Sequence, residues 1–599
     1  MARERIYEDF SFLHRRVKKV KYLFIFIFLL IILSYWKIQI LDHRKYWSLS
    51  EANRLREIVI PAPRGRLFDR QGVVLADNTA AFKACLLREN NPRWKESLNE
   101  MARLLQLNLT VLEERINRYA SLPVFIPIVI KDNLSLEEIS RIEARKFEFP
   151  ELFIDREPRR FYPFGEITAH VTGYLQEVSA DELKSGEFKR KRMGDLIGKT
   201  GLERKYEAWL EGEDGKRMEI VDSLGRSHGE YTRIEPRPGR DLHLALDLDL
   251  QKKAYKLLEG REGAIVALKP RSGEILALVS SPSFDPNLFV SRFTLKEWTE
   301  LNSRSDNPLE NRAIRGLYPP GSVFKLAVAL GALQKGLIFP QTVQYCSGEA
   351  IFYGRSFACW QPGGHGWLNL AEAIKNSCNI YFYQVGRRLG IEAIARTARQ
   401  LGLGSMTGID IPGEKEGVVP DPEWKRRTQG TDWFPGETIS VSIGQGPIQV
   451  TPLQIAVYTA IIANRGQKIK PHLIMDKELL ASEQNGPLDN ADIDVSHFEA
   501  VIEGMWRSVN QGGTGYLAMV EGFDVCGKTG SSQIISREKT QKTGLKIKPH
   551  SWFTGFAPRN NPEIVVTVVV EFGGLGGASA APLAKEIFSL YREKSRRHD

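Results

Sequence analysis

Long apolar runs are scarce in this chain. Of 599 residues, a single stretch stays uncharged for long enough to cross a bilayer, so one membrane crossing at most is expected. Internal repeats and long low-complexity tracts are missing as well, which excludes a solenoid. No segment combines dense Lys and Arg with aromatic residues, so the formal net charge of +10 is not the footprint of a nucleic-acid binder. Spread along the chain, that charge is either ordinary solubility charge or a sign of an anionic neighbour such as a membrane surface. With 42% hydrophobic and 26% charged residues, the composition is that of a folded protein rather than a disordered one. The length exceeds what one core ordinarily organises, so two or more domains are expected.

The one apolar run begins at Tyr22-Leu23-Phe24-Ile25-Phe26 and stays uncharged to Trp36. Lys37 can snorkel, so residues 22–40 make a span of about 19 residues, enough for the hydrocarbon core. Arg15, Arg16, Lys18, Lys19 and Lys21 precede it, which predicts a cytoplasmic tail at 1–21 and the remaining chain outside the cytoplasmic membrane. A cleaved signal peptide would need a small-x-small site after the run. Trp36-Lys37-Ile38-Gln39 offers none, so an uncleaved single-pass anchor is expected.

Residues 88–160 are charge-rich, with helical patterns interrupted by prolines, and turn clusters such as Gly212-Glu213-Asp214-Gly215 and Pro236-Arg237-Pro238-Gly239 punctuate the next stretch. From about residue 241 the texture changes. Gly263 to Leu268 and Glu274 to Val279 flank a Pro-Arg-Ser-Gly turn, a predicted hairpin. Helical segments fill the middle, strands return at Trp552 to Phe556 and Ile564 to Val570, and a helix from Leu583 to Tyr591 follows. Strands, helices, strands and a closing helix predict an α+β domain over 241–599, an antiparallel sheet sandwiched by helices.

One short stretch carries two incompatible motifs. Gly522 to Thr529 matches the phosphate-loop pattern G-x-x-x-x-G-K-[ST], and the overlapping Lys528-Thr529-Gly530 matches the K-T-G triplet of serine acyl-enzymes. The triplet recurs at Lys199-Thr200-Gly201 and Lys542-Thr543-Gly544. A phosphate loop needs a helix that starts at its Lys-Thr. Here Phe523-Asp524-Val525 and Gln533-Ile534-Ile535 are strand-like, so nucleotide binding is not expected.

Pro319-Pro320-Gly321-Ser322-Val323-Phe324-Lys325 breaks the chain and opens an apolar helix that runs on to Gly336. Ser322 is thus placed at a helix N-terminus, where the dipole favours negative charge on its oxygen. Lys325 lies one turn on, and a lysine whose pKa is lowered by burial can take the serine proton. S-x-x-K alone is common. Ser377-Cys378-Asn379 follows at the junction of two helical segments, Leu370 to Lys375 and Ile380 to Leu389, and Lys528-Thr529-Gly530-Ser531-Ser532 comes last.

S-x-x-K, S-x-N and K-T-G in that order resemble the penicillin-binding proteins and serine β-lactamases. Beyond the anchor, Arg64 to Arg70, Arg160 to Pro163 with Ala169 to Tyr174, and Gly198 to Glu203 look like the non-catalytic pedestal of class B penicillin-binding proteins. Gly444-Gln445-Gly446 with Val450-Thr451-Pro452 is similar to the family's region between its second and third motifs. The resemblance implies a pedestal, of the dimerisation type, at 41–240 and a transpeptidase domain at 241–599. It implies a serine-type peptidoglycan D,D-transpeptidase of cell-wall elongation, with a division-specific class B enzyme as the alternative. Ser322 would attack the carbonyl of a D-Ala-D-Ala stem peptide with Lys325 as base, in carboxypeptidase-like acyl transfer. Ser377 would relay a proton and Asn379 hold the substrate amide. Lys528, Thr529, Gly530, Ser531 and Ser532 would bind the substrate, Lys528 and Thr529 taking its carboxylate. The backbone N–H groups of Ser322 and Ser531 would form an oxyanion hole, a device worth ~3 kcal/mol per donor. β-Lactams would acylate Ser322. No catalytic cofactor is expected. The implied partners are the elongation machinery and a multi-spanning glycosyltransferase of the SEDS type.

A membrane-anchored β-lactam sensor or β-lactamase would share the three motifs. The pedestal argues against it, and no glutamate-bearing deacylation loop is recognisable. A degenerate scaffold conflicts with the intact motifs. Three of the five cysteines, Cys346, Cys359 and Cys378, lie with His365 inside 33 residues. Three thiols and an imidazole suit a tetrahedral structural zinc site. The other reading is a Cys346–Cys359 disulfide with His365 in a surface turn. Cys85 and Cys526 read as ordinary buried residues.

Overall fold

A computed structural model describes residues 11–188, 191–222, 227–290, 295–483, 489–533 and 548–598. The chain separates into two compact units that interleave along the sequence. One comprises Met1–Ala62, Ala81–Glu157 and Glu213–Arg237; the other comprises Pro63–Ala80, Pro158–Gly212 and Pro238–Asp599. Ile534, Ile535 and the Lys542 triplet fall outside the described residues.

In the first unit, the apolar run forms the helix Ser11–Trp36, extended by a π-helical turn over Lys37–Leu41. It is the one described helix long and apolar enough to cross a membrane, and its apolar side chains are exposed. A separate small core gathers Leu86, Met101, Leu105, Leu112, Ile116, Ile128 and Leu152. Leu55–Ile60, Gly215–Val221 and Ser227–Ile234 make a three-stranded sheet.

The second unit is built on a five-stranded antiparallel sheet in the order Ile275–Ser281, Gly263–Leu268, Ile564–Val570, His550–Ala557, Cys526–Ser532. Its inner strands are apolar on both faces, and alternation divides them between two cores. Ile265 and Ala267 join Leu250, Ala254, Ile587 and Phe588 from the helices Leu248–Leu257 and Gly576–His598. Ala264, Val266 and Leu268 join the larger cluster with Phe324, Leu330 and Ile461. At the centre of that second face lies Pro452–Ala463, a helix apolar all round with every residue buried. The sheet sandwiched by helices expected from the sequence is therefore present. The last helix begins earlier than its apolar pattern suggested, at Gly576, through the Ala578-Ser579-Ala580-Ala581 stretch that favours helix.

Three pedestal segments converge within this second unit on a buried ion cluster. Glu203 accepts from Arg160 Nε at 2.7 Å and from Arg64 Nε at 3.1 Å, and the Tyr162 hydroxyl donates to it at 3.2 Å. Arg64 also forks onto Glu207, whose carboxylate takes the Gly198 N–H at 2.8 Å. Desolvation by itself would raise the Glu203 pKa; the Arg160 and Arg64 charges outweigh it and hold the carboxyl below its ordinary value. The Lys199 triplet belongs here. Gly201 takes a positive φ of 59°, and a Cβ there would lie 2.5 Å from Gly173 N, so this copy is a close-packed turn.

Candidate active site

Ser322 sits in the 3₁₀ turn Gly321–Phe324, which runs directly into the helix Lys325–Gln334. That turn is clamped from two sides. Gly321 N donates to Gly444 O at 2.9 Å, and a Cβ on Gly321 would lie 2.9 Å from Ser531 O. With a φ of 56°, position 321 needs glycine twice over, for its dihedral and for the approach of the Ser531 backbone. Gly530 is held to glycine by a similar approach, since a Cβ there would meet Pro320 O at 2.8 Å. The glycine of the triplet lets the Ser322 turn lie against the edge strand Cys526–Ser532.

Ser377 occupies the end of the helix Leu370–Lys375 in a Schellman arrangement. Its N–H bonds Ile374 O at 3.2 Å and the Cys378 N–H bonds Ala373 O at 3.0 Å. Ser377 therefore stands where glycine is usual, at a left-handed φ of 53°, a conformation that stores strain in a residue with a Cβ. Cys378 caps the next helix, Asn379–Leu389, by accepting from Tyr381 N. Two turns meeting back to back thus aim Ser377 and Asn379 into one place.

Both motif lysines reach that place, and both are fully buried. Lys325 Nζ donates to Ser377 O at 2.8 Å and Asn379 Oδ1 at 2.7 Å, with Ser377 Oγ at 3.5 Å. Its described hydrogen bonds do not include Ser322. Lys528 Nζ donates to Ser377 Oγ and Thr529 O, each at 2.9 Å. Burial pushes the Lys325 ammonium down to about 8, against the raising influence of nearby Cys378, Cys359 and Cys346. Burial, then the nearby Lys325 charge, push Lys528 well below the ordinary lysine value. Among the described residues, no carboxylate is hydrogen-bonded to either ammonium.

The remaining strand residues diverge. Thr529 Oγ1 donates to Thr514 Oγ1 at 2.8 Å. Ser531 Oγ accepts from Gly576 N at 3.1 Å, and Ser531 O accepts from Gln445 Nε2 at 3.3 Å. Ser532 Oγ is buried without a hydrogen-bond partner among the described residues.

Residues 263–589 match the family model of the penicillin binding protein transpeptidase domain, and residues 59–244 match that of the penicillin-binding protein dimerisation domain. The chain belongs to the class B penicillin-binding proteins. It is 38% identical over 583 residues to the peptidoglycan D,D-transpeptidase MrdA of Acinetobacter baumannii, covering 95% of this chain and 86% of that one. Among solved structures it resembles the penicillin-binding protein 2 of Helicobacter pylori in complex with MreC, with TM-score 0.80, 29% identity, and 90% and 99% of the two chains covered. A chain of a peptidoglycan synthase complex coordinating polymerization and crosslinking matches with TM-score 0.71 and 32% identity, over 96% of this chain and 98% of that one. These relatives put the chain with penicillin-binding protein 2 rather than with division enzymes or β-lactamases.

In this penicillin-binding protein the cysteine cluster lies directly behind the second motif. Two strand pairs, Gln344–Cys346 with Gly366–Leu368 and, between them in sequence, Glu349–Phe352 with Arg355–Ala358, bring Cys346, Cys359 and His365 together, and Cys378 comes from the cap of the helix Asn379–Leu389. The ligand atoms of Cys346, Cys359, His365 and Cys378 lie within 4.8 Å of one another. His365 Nδ1 is 3.5 Å from Cys346 Sγ and 3.6 Å from Cys359 Sγ. All five cysteines are free thiols, so the Cys346–Cys359 disulfide is not formed. Cys359 Sγ accepts the Asn379 N–H at 3.4 Å, which ties the cluster to the S-x-N turn.

Sequence reasoning missed two participants. Thr514, in the Gly512-Gly513-Thr514-Gly515 turn, is the partner of Thr529; a lone hydroxyl among glycines was the available signal. Gln445 was visible only as part of a resemblance, and its contact with Ser531 O depends on segments 86 residues apart.

Proposed function

We propose that this chain is a peptidoglycan D,D-transpeptidase of cell-wall elongation that cross-links stem peptides through an acyl-enzyme on Ser322. The observation that carries the reading is the convergence of the three motifs on Ser377, whose Oγ lies 2.9 Å from Lys528 Nζ and 3.5 Å from Lys325 Nζ.

The two short acceptors of Lys325, Ser377 O and Asn379 Oδ1, use two N–H groups. A neutral amine has two, and its lone pair is left over for the Ser322 proton. Ser322 Oγ attacks the carbonyl of the penultimate D-Ala, and its proton passes to Lys325. The Ser322 and Ser531 N–H groups hold the oxyanion. As the C–N bond breaks, terminal D-Ala leaves with a proton relayed through Ser377. An amine from a neighbouring stem then attacks the ester carbonyl, the C–O bond to Ser322 breaks, and Ser322 recovers its proton. Lys528 and Thr529 receive the substrate carboxylate. Asn379 orients the substrate amide, while Gly530 and Ser532 shape the strand. No catalytic cofactor enters.

Cys346, Cys359, His365 and Cys378 suit a structural zinc. With Zn–S near 2.3 Å and Zn–N near 2.0 Å, a tetrahedron has S···N edges of about 3.5 Å, close to the 3.5 and 3.6 Å found here. The ion would hold the two strand pairs and the S-x-N turn together without entering the reaction.

Residues 22–40 anchor the chain in the bacterial cytoplasmic membrane, with 1–21 cytoplasmic, a pedestal at 41–240 and the transpeptidase domain, 241–599, outside. The basic residues before the span favour this orientation. The matched complexes with MreC and of a peptidoglycan synthase support work within the elongation machinery beside a SEDS-type glycosyltransferase.

Labelling with a fluorescent penicillin followed by peptide mapping tests the core of the proposal. The adduct is expected on Ser322 and absent in Ser322→Ala. Labelling that persists in the variant, or drug released rapidly in hydrolysed form, overturns it.

A further inference from the structure

The hydroxyl of Thr529 is not free to meet a ligand. It donates to Thr514 Oγ1 at 2.8 Å, and Thr514 Oγ1 in turn donates to Lys375 O at 3.3 Å. Lys375 is the last residue of the helix that ends in the S-x-N turn. The same carbonyl also accepts the Thr514 backbone N–H, at 3.1 Å. Gly513 makes this seat possible: a Cβ there would lie 2.8 Å from Lys375 O and 2.7 Å from Ser508 Cα.

This arrangement leaves Lys375 O doubly supplied. If the Thr514 hydroxyl turns away, the carbonyl keeps its backbone donor, so no buried acceptor is orphaned. The hydroxyl pair can therefore reverse at little cost. Thr514 then donates to Thr529, and Thr529 turns its own proton outward.

From this geometry we infer that Thr514 is a positioning residue that switches Thr529 from hydrogen-bond donor to Thr514 into hydrogen-bond donor to the substrate's carboxylate. The inference rests on the reading above that the Lys528-Thr529 strand receives that carboxylate. A hydroxyl partner that both accepts and donates is what the switch requires; an apolar residue at 514 leaves Thr529 without orientation, and serine retains it.

The experiment measures second-order acylation of the full chain by benzylpenicillin and by its methyl ester, in which the carboxylate is masked. Thr514→Val is expected to slow benzylpenicillin about 10-fold and the ester less than about 2-fold, because hydrogen bonds to charged groups are the strong ones. Thr514→Ser should stay within about 3-fold of the parent for both. Thr514→Ala removes the same hydroxyl with less bulk and must give the same split. Thr529→Val is run beside them. If it slows both probes equally, the carboxylate reading itself fails. If Thr529→Val discriminates between the probes while Thr514→Val and Thr514→Ala slow both equally or neither, the switch is overturned and the carboxylate site stands.

Discussion

Ser377 Oγ accepts a hydrogen bond from Lys528 Nζ across 151 residues of sequence, at 2.9 Å, from a backbone held at a φ of 53°. Position and strain belong together, because the left-handed cap is what turns this hydroxyl toward the lysines. Glycine would fit the cap better and do nothing there.

Comparing Ser377→Gly with Ser377→Ala separates the two effects. Both lose the hydroxyl, and penicillin acylation should fall by about 100-fold or more in each, as for loss of a proton-transfer group. The glycine variant should be more stable than the alanine variant by about 1 kcal/mol, since only alanine keeps the left-handed strain. Thermal melting beside acylation rates reads this out; equal stabilities would remove the strain argument.

Acylation should rise with pH. Burial favours the neutral amine of Lys325 and lowers its pKa to about 8, so the base form grows as pH climbs through that value. Stopped-flow acylation over a pH range spanning that value should show a rising limb with its midpoint near 8. Lys325→Arg, charged at every accessible pH, should be inactive across the range. The sign carries over to stability. The unfolded chain keeps this proton to about pH 10, so it binds more protons above the folded value, and the lysine's contribution to stability rises over that window.

Glu203→Gln leaves Arg160 and Arg64 facing a neutral amide in a buried site. Removing one partner of a buried ion pair typically costs about 3–5 kcal/mol, and a loss of that order is expected in denaturant titrations. Because the carboxyl is held below its ordinary value in the fold, its contribution is complete above about pH 5 and fades as pH falls below about 4. The variant's deficit should shrink in acid. A deficit that persists there would mean the ion cluster is not its source.

Elemental analysis of the purified chain should find about one zinc per molecule. His365→Ala and Cys359→Ser should lose it and melt at lower temperature, since the Asn379 N–H bond to Cys359 Sγ links the cluster to the active turn. Metal-free protein with all its thiols reduced would end the assignment.

Much of the candidate site's local structure was legible residue by residue. Pro319-Pro320-Gly321 before an apolar helix located the Ser322 turn, and Lys528-Thr529-Gly530 does lie in a strand, Cys526–Ser532, although Phe523 to Val525 precede that strand rather than belong to it. The helix–turn–helix around Ser377 was legible too. Its left-handed cap was not, because local preference puts glycine there and only the surrounding packing holds a serine. The metal-type cluster was visible as a set of residue types, whereas the cross-strand pairing of Cys346 with Gly366, which carries His365 to the thiols, was not. The interleaving of pedestal segments with the catalytic body escapes linear reading, since Arg64, Arg160 and Glu203 show no local pattern that joins them.

The sequence by itself determined the chemical inventory and its order: an apolar span, a serine and lysine one helical turn apart, a hydroxyl-and-amide turn, and a strand bearing Lys528 and Thr529. These are local properties, set by periodicity, turn chemistry and helix breaks. Tertiary structure alone decided what the groups do to one another. Ser377 is shared by two lysines and Thr529 is handed to Thr514 because desolvation and hydrogen-bond competition arise only when distant segments pack. For the same reason the pKa of Lys325 is a property of the folded core, not of the S-x-x-K motif.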